Sequence, residues 1–120
     1  MIKASFYRDS EGNITKFSVT GHADSGPYGY DIVCAAVSSV TIGTVNGIES
    51  LAGITPAVQS DDKSGGLLTA SLPSVVVQEK LTIAQILLEN LLLELQSIQD
   101  EYGQFIHVST TQQSRPEEAV

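Results

Sequence analysis

The sequence predicts an α+β fold of order β-β-α-β-β-α-β, a mixed sheet with two long helices packed on one face. Three observations carry that prediction. Residues 2–8 and 14–20 flank the turn cluster Asp9-Ser10-Glu11-Gly12-Asn13, the pattern of a hairpin. Residues Ile32 to Leu51 are apolar on most sides and carry one charge, Glu49, which marks a central helix. Val77, Leu81, Ala84, Leu88, Leu91, Leu95, Ile98 and Tyr102 recur at alternating spacings of four and three, the strongest helix signal in the chain. Strands and helices do not alternate strictly, unlike a doubly wound parallel sheet.

In the first strand Ile2, Ala4 and Phe6 face one way and Lys3, Ser5 and Tyr7 the other. In the second, Phe17 and Val19 share a face. Gly21, Gly26, Pro27 and Gly29 break the segment 21–30 into a loop. Asp31 is placed as N-cap of the first helix, which ends near Gly53. Pro56 and the cluster 61–66 bracket a short strand at 57–60, and 67–72 pairs with it as a second hairpin. Ser74 is placed as the cap of the second helix, with Gly103 just past its end. Phe105, Ile106 and Val108 form the last strand. The domain is expected to span residues 1–109, with 110–120 a polar, disordered tail.

One hundred and twenty residues suit one domain with a real core. No apolar run is expected to span a bilayer and no leader is seen, so a cytoplasmic protein without membrane contact is expected. The net charge of -8 disfavours nucleic acid; it either favours basic partners through steering or serves solubility alone. One cysteine excludes an internal disulfide and a Cys-rich zinc site, and fits a reducing compartment. No metal or cofactor is expected.

The chemistry concentrates in Gly21 to Ser38. With Asp31 as cap, Cys34 is the third helical residue, where unpaired amides and the helix dipole favour a thiolate. His22 lies across a loop long enough to double back, and an imidazolium there favours the thiolate further. The pair fits nucleophilic attack by Cys34, with His22 as general acid and base and backbone N–H groups near Cys34 facing the oxyanion. Other readings stay open. Cys34 also fits a small core residue, and His22 an ordinary loop residue. Asp31 fits either an N-cap or a partner that orients His22. Ser38, one turn beyond Cys34, fits either a site hydrogen bond or an intrahelical one. Tyr28 and Tyr30 line a substrate groove or staple the loop. His107 reads as structural.

The segment Gly21-His22-Ala23 followed by Tyr28-Gly29-Tyr30-Asp31-Ile32-Val33-Cys34-Ala35-Ala36-Val37-Ser38 resembles the signature of the ribosomal-processing cysteine proteases, the Prp family. The likeness extends over the opening hairpin, the second helix and the closing strand; the pair Gly26-Pro27 departs from the usual loop wording. It implies a cytoplasmic cysteine endopeptidase with Cys34 as nucleophile and His22 as its histidine. It also implies a homodimer, with Gly21, Ala23, Gly26, Tyr28, Gly29 and Tyr30 in a mobile loop that meets the substrate. The implied substrate is the N-terminal extension of a basic large-subunit ribosomal protein, the twenty-seventh, removed before assembly. Two other functions compete: a noncatalytic ribosome-assembly or protein-binding module with Cys34 as core filler, and a thiol acyltransferase or amidase.

Overall fold

The computed structural model describes residues 1–21, 30–61 and 67–113, with Tyr30, Asp31 and Leu67 described as backbone. In chain order these form β1 (Ile2–Arg8), β2 (Ile14–Thr20), α1 (Tyr30–Gly47), β3 (Ala57–Asp61), β4 (Leu67–Ser71), α2 (Gln78–Tyr102) and β5 (Ile106–Gln112). The sheet order is β3-β4-β2-β1-β5. Both hairpins are antiparallel, as is β2 with β4, while β5 runs parallel to β1. That parallel pair needs a long crossover, and α2 supplies it. The predicted α+β order and mixed sheet are therefore present.

The alternation in β1 sets the layering. Ile2, Ala4 and Phe6 are buried and join Phe17, Val19 and Ala70 under the helices. Phe6 and Phe17 face each other across the β1–β2 ladder and stack with centroids 5.8 Å apart. Each such apolar side chain contributes roughly 1.5–3 kcal/mol when fully buried. Lys3, Ser5 and Tyr7 take the opposite, open face.

From α2, Ala84, Leu88, Leu91 and Leu95 of the predicted seam are buried, and Leu92 widens it. Polar side chains then fasten α2 to the strands. Gln85 accepts from the Ile14 N–H at 2.7 Å and donates to its carbonyl at 2.8 Å. Arg8 grips Glu89 with two hydrogen bonds. Gln99 accepts from the Val108 N–H at 2.6 Å. From α1, Val33, Val37 and Val45 enter the same core.

Several expectations need correction. Helical backbone starts at Tyr30, so Asp31 is inside α1 rather than its N-cap. After Gly47 the helix widens into a π turn, Ile48–Ala52. It stops at Gly53, whose φ of 69° is left-handed, and the Lys80 ammonium donates to the Gly53 carbonyl. Apolar periodicity cannot distinguish this wider turn, because Ile48 and Ala52 are buried either way. Val77, not Ser74, is the N-cap of α2, and it caps without a side-chain bond. Gly103 keeps a right-handed φ of -58°, and the Phe105 N–H closes the turn onto the Tyr102 carbonyl.

The tail was expected from 110, yet β5 continues to Gln112 because β1 offers pairing partners as far as Arg8. Residues 114–120 lie outside the described residues. Two helices, Ile32–Ala52 and Gln78–Tyr102, are long and apolar enough to cross a membrane, contrary to expectation, with mean hydropathy 1.4 and 1.3. Here both place apolar residues in the core beneath the sheet.

Candidate functional site

β2 delivers the chain to Gly21, immediately before His22. Gly21 has φ of 86°, and a Cβ there would sit 2.4 Å from the Met1 carbonyl oxygen. Both the backbone angle and the close approach require glycine. Gly21, expected as a substrate-loop residue, thus has a structural duty: it turns the chain off the sheet. His22, Ala23, Gly26, Tyr28 and Gly29 lie outside the described residues, as does the expected ordering of that loop. Tyr30 and Asp31 are described as helical backbone.

Cys34 is half-buried, is in no disulfide and packs against the core. Because α1 begins at Tyr30, Cys34 is its fifth residue rather than its third. Its amide therefore belongs to the helical ladder, and the unpaired N–H groups lie before it. The Cα–Cβ bond tilts toward the helix N-terminus, which still carries the sulfur back toward that end. The dipole acts on the thiol more weakly than a third position would allow.

Ser38 follows one turn later and is half-buried. It lines a cavity of about 30 Å³ together with Val19, Val37, Thr41, Ile42 and Leu68. Val19 is three residues before His22, and Ser38 is one turn after Cys34. Val19, near the end of β2, thus shares this cavity with Val37, Ser38 and Thr41 of α1. The other histidine, His107, is exposed on β5 between buried Ile106 and half-buried Val108. Strand alternation thus turns it to the open face, away from α1. Among the described residues no three His, Cys, Asp or Glu converge as a metal site.

Sequence reasoning passed over Thr41. It is buried at 2% exposure, and its hydroxyl has no hydrogen-bond partner among the described residues. A signal was available: Thr41 is seven residues from Cys34, two turns along the same helix face.

The fold is α+β, with a half-buried thiol near the start of α1. The comparisons with known proteins give its class, the cysteine proteases. The family of cysteine protease Prp matches residues 1–107. The ribosomal processing cysteine protease Prp of Staphylococcus aureus (strain Mu50) is 37% identical over 109 residues, 91% of this chain and 98% of that protein. The crystal structure of SMU.848 from Streptococcus mutans superposes with a TM-score of 0.85 at 36% identity, covering 94% of this chain and 96% of that one. S. aureus Prp in complex with a substrate peptide superposes with a TM-score of 0.81 at 34% identity, covering 92% and 99%. The same S. aureus protease has also been solved with a covalently linked product peptide, TM-score 0.76 at 35% identity, covering 92% and 99%. This chain belongs to the Prp cysteine protease family and is a cysteine protease.

Proposed function

We propose that this protease removes the N-terminal extension of a large-subunit ribosomal protein, the twenty-seventh, through attack by Cys34 assisted by His22. The observation that carries the reading is the covalently linked product on the S. aureus relative. In this chain Cys34 is the sole cysteine, so a thioester to substrate has one place to form. Cys34 attacks the scissile carbonyl carbon, the peptide C–N bond breaks, and the acyl group stays on sulfur. His22 gives a proton to the departing amine and then takes one from the water that releases the acyl group. His107 faces the open side of the sheet, which supports His22 as the imidazole in this role. Asp31 and Ser38 are supporting residues, and amides at the start of α1, before Cys34, are the nearest donors for the oxyanion. Gly21, Ala23, Gly26, Tyr28, Gly29 and Tyr30 are proposed to meet the substrate.

The net charge of -8 suits a basic ribosomal substrate by steering, and it disfavours direct contact with nucleic acid. A single free thiol suits the cytoplasm, where ribosomes assemble. The protein is proposed to act as a homodimer. Ile83, Ile86 and Leu93 expose apolar surface on α2. Val40, Leu93, Glu94, Ser97 and Ile98 line an open groove of about 440 Å³. A second copy covering this region would remove that surface from water.

The test is mass spectrometry of the extended ribosomal protein after incubation with wild type, Cys34→Ala and His22→Ala. Wild type is expected to release the N-terminal peptide and Cys34→Ala to leave the protein intact. His22→Ala should slow cleavage roughly 10²- to 10⁴-fold. An uncut substrate with wild type, or full cleavage by Cys34→Ala, defeats the proposal.

A further inference from the structure

The cavity beside α1 holds a hydroxyl with nothing to bond. Thr44 and Thr82 satisfy their side chains in the ordinary helical way, donating to the carbonyls of Val40 and Gln78 at 2.7 and 3.0 Å. Thr41 does not, although it sits in the same helix as Thr44 and is more deeply buried. Leaving a buried hydroxyl unpaired carries an uncompensated desolvation cost. Replacement by an apolar isostere removes that cost, so the hydroxyl is expensive for the free fold.

The place of this hydroxyl gives it a use. The cavity walls are Val19, Val37, Ile42 and Leu68, with Ser38 and Thr41 as the hydroxyl-bearing residues. A volume of about 30 Å³ admits a water or a side chain the size of serine. An aromatic ring does not fit. Along α1 the rise from Cys34 to Ser38 is roughly 6 Å, and to Thr41 roughly 10 Å. An extended peptide advances about 3.3 Å per residue. A peptide laid along α1 from Cys34 therefore brings a side chain over the cavity two to three residues from the scissile carbonyl.

We propose that the cavity is a specificity subsite in which Thr41 recognises a small hydroxyl-bearing side chain of the substrate, serine by size. The inference rests on the peptidase reading above. Thr41 acts through binding alone and has no part in bond breaking. The substrate hydroxyl supplies the hydrogen bond that the Thr41 hydroxyl lacks, while the apolar walls exclude larger or charged groups.

The experiment uses Cys34→Ala protein, with and without Thr41→Val, so that binding is read without turnover. The probe is a labelled peptide spanning the junction between extension and mature ribosomal protein. Ser, Ala or Phe is placed in turn at each position within three residues of the scissile bond. At one position the Ser peptide should bind roughly tenfold tighter than the Ala peptide, and Thr41→Val should remove that preference while leaving the Ala peptide unchanged. Thr41→Val alone should melt no lower than wild type. A Ser-to-Ala ratio indifferent to Thr41→Val, or tighter binding of Phe than Ser at that position, overturns the subsite. So does a lower melting temperature for Thr41→Val, which would give the hydroxyl a structural duty. If no peptide binds and wild type cuts none, the peptidase reading falls and takes the subsite with it. Binding without the Thr41 dependence sinks the subsite alone.

Discussion

The two helices share one face of one sheet and are held there differently. α2 is both packed and tied. Its leucines fill the core, and Gln85, Glu89 and Gln99 reach across to β2, β1 and β5. α1 brings valines and small residues, widens into a π turn, and leaves one hydroxyl unpaired above a cavity. It also carries the thiol. The contrast separates a strut from a working surface. Apolar burial with cross-ties fixes α2 in register, whereas a binding face must leave some groups unsatisfied and some volume unfilled. Removing a residue from α2 should damage the fold; removing one from the Cys34 face of α1 should damage substrate binding or cleavage.

The largest expected effect on stability comes from the α2 seam. Leu91→Ala leaves a cavity at a fully buried position and should cost about 2–5 kcal/mol in chemical denaturation. A cost near that of a surface substitution would remove the strut from the comparison. Gly21→Ala is the next largest and crosses the two regions. It forces a Cβ against the Met1 carbonyl at a left-handed φ, so the chain leaving β2 must shift. Cleavage should fall at least tenfold, with about 1–3 kcal/mol lost from the fold. Wild-type turnover would mean that the path out of β2 does not govern the site.

Gln85→Ala strips both hydrogen bonds from Ile14 and should cost roughly 1–3 kcal/mol without changing cleavage per folded molecule. The smallest effect belongs to Arg8 and Glu89. The hydrogen bond from Arg8 holds the Glu89 carboxyl below its ordinary range. A lowered folded pKa means that this stabilisation is present above about pH 4.5 and is lost as pH falls through the folded value. The pair is partly exposed, with Glu89 at 43%, so Glu89→Gln should cost no more than about 1 kcal/mol at neutral pH, less in high salt. Below the folded value, wild type and variant should converge in melting temperature.

The sequence made the scaffold legible where one physical rule dominated. Alternation in β1 and β2 and the middle of the α2 seam each place a buried face, and each is found there, whereas Val77 and Tyr102 at the ends of the seam are exposed. Chain ends of elements were less legible, since capping depends on competing local bonds. Asp31 and Ser74 have capping chemistry but fall inside and before their helices. The strand after Ile106 runs farther than its composition suggests because its partner, β1, is long enough to pair it. Cys34 stood out as the lone thiol. Thr41 did not, because a threonine on an apolar helix face ordinarily bonds to its own backbone, as Thr44 does. An unpaired hydroxyl becomes visible only when the walls from β2 and β4 are in place.

The most direct test of α1 as the working helix is to trap the acyl-enzyme. Wild type is mixed with the extended ribosomal protein, quenched in acid within one turnover, and examined by intact mass and peptide mapping. The expected result is a mass increase equal to the N-terminal peptide less one water, the thioester, mapped to Cys34 and absent in Cys34→Ala. Cleavage with no adduct, together with undiminished cleavage by Cys34→Ala, would contradict it.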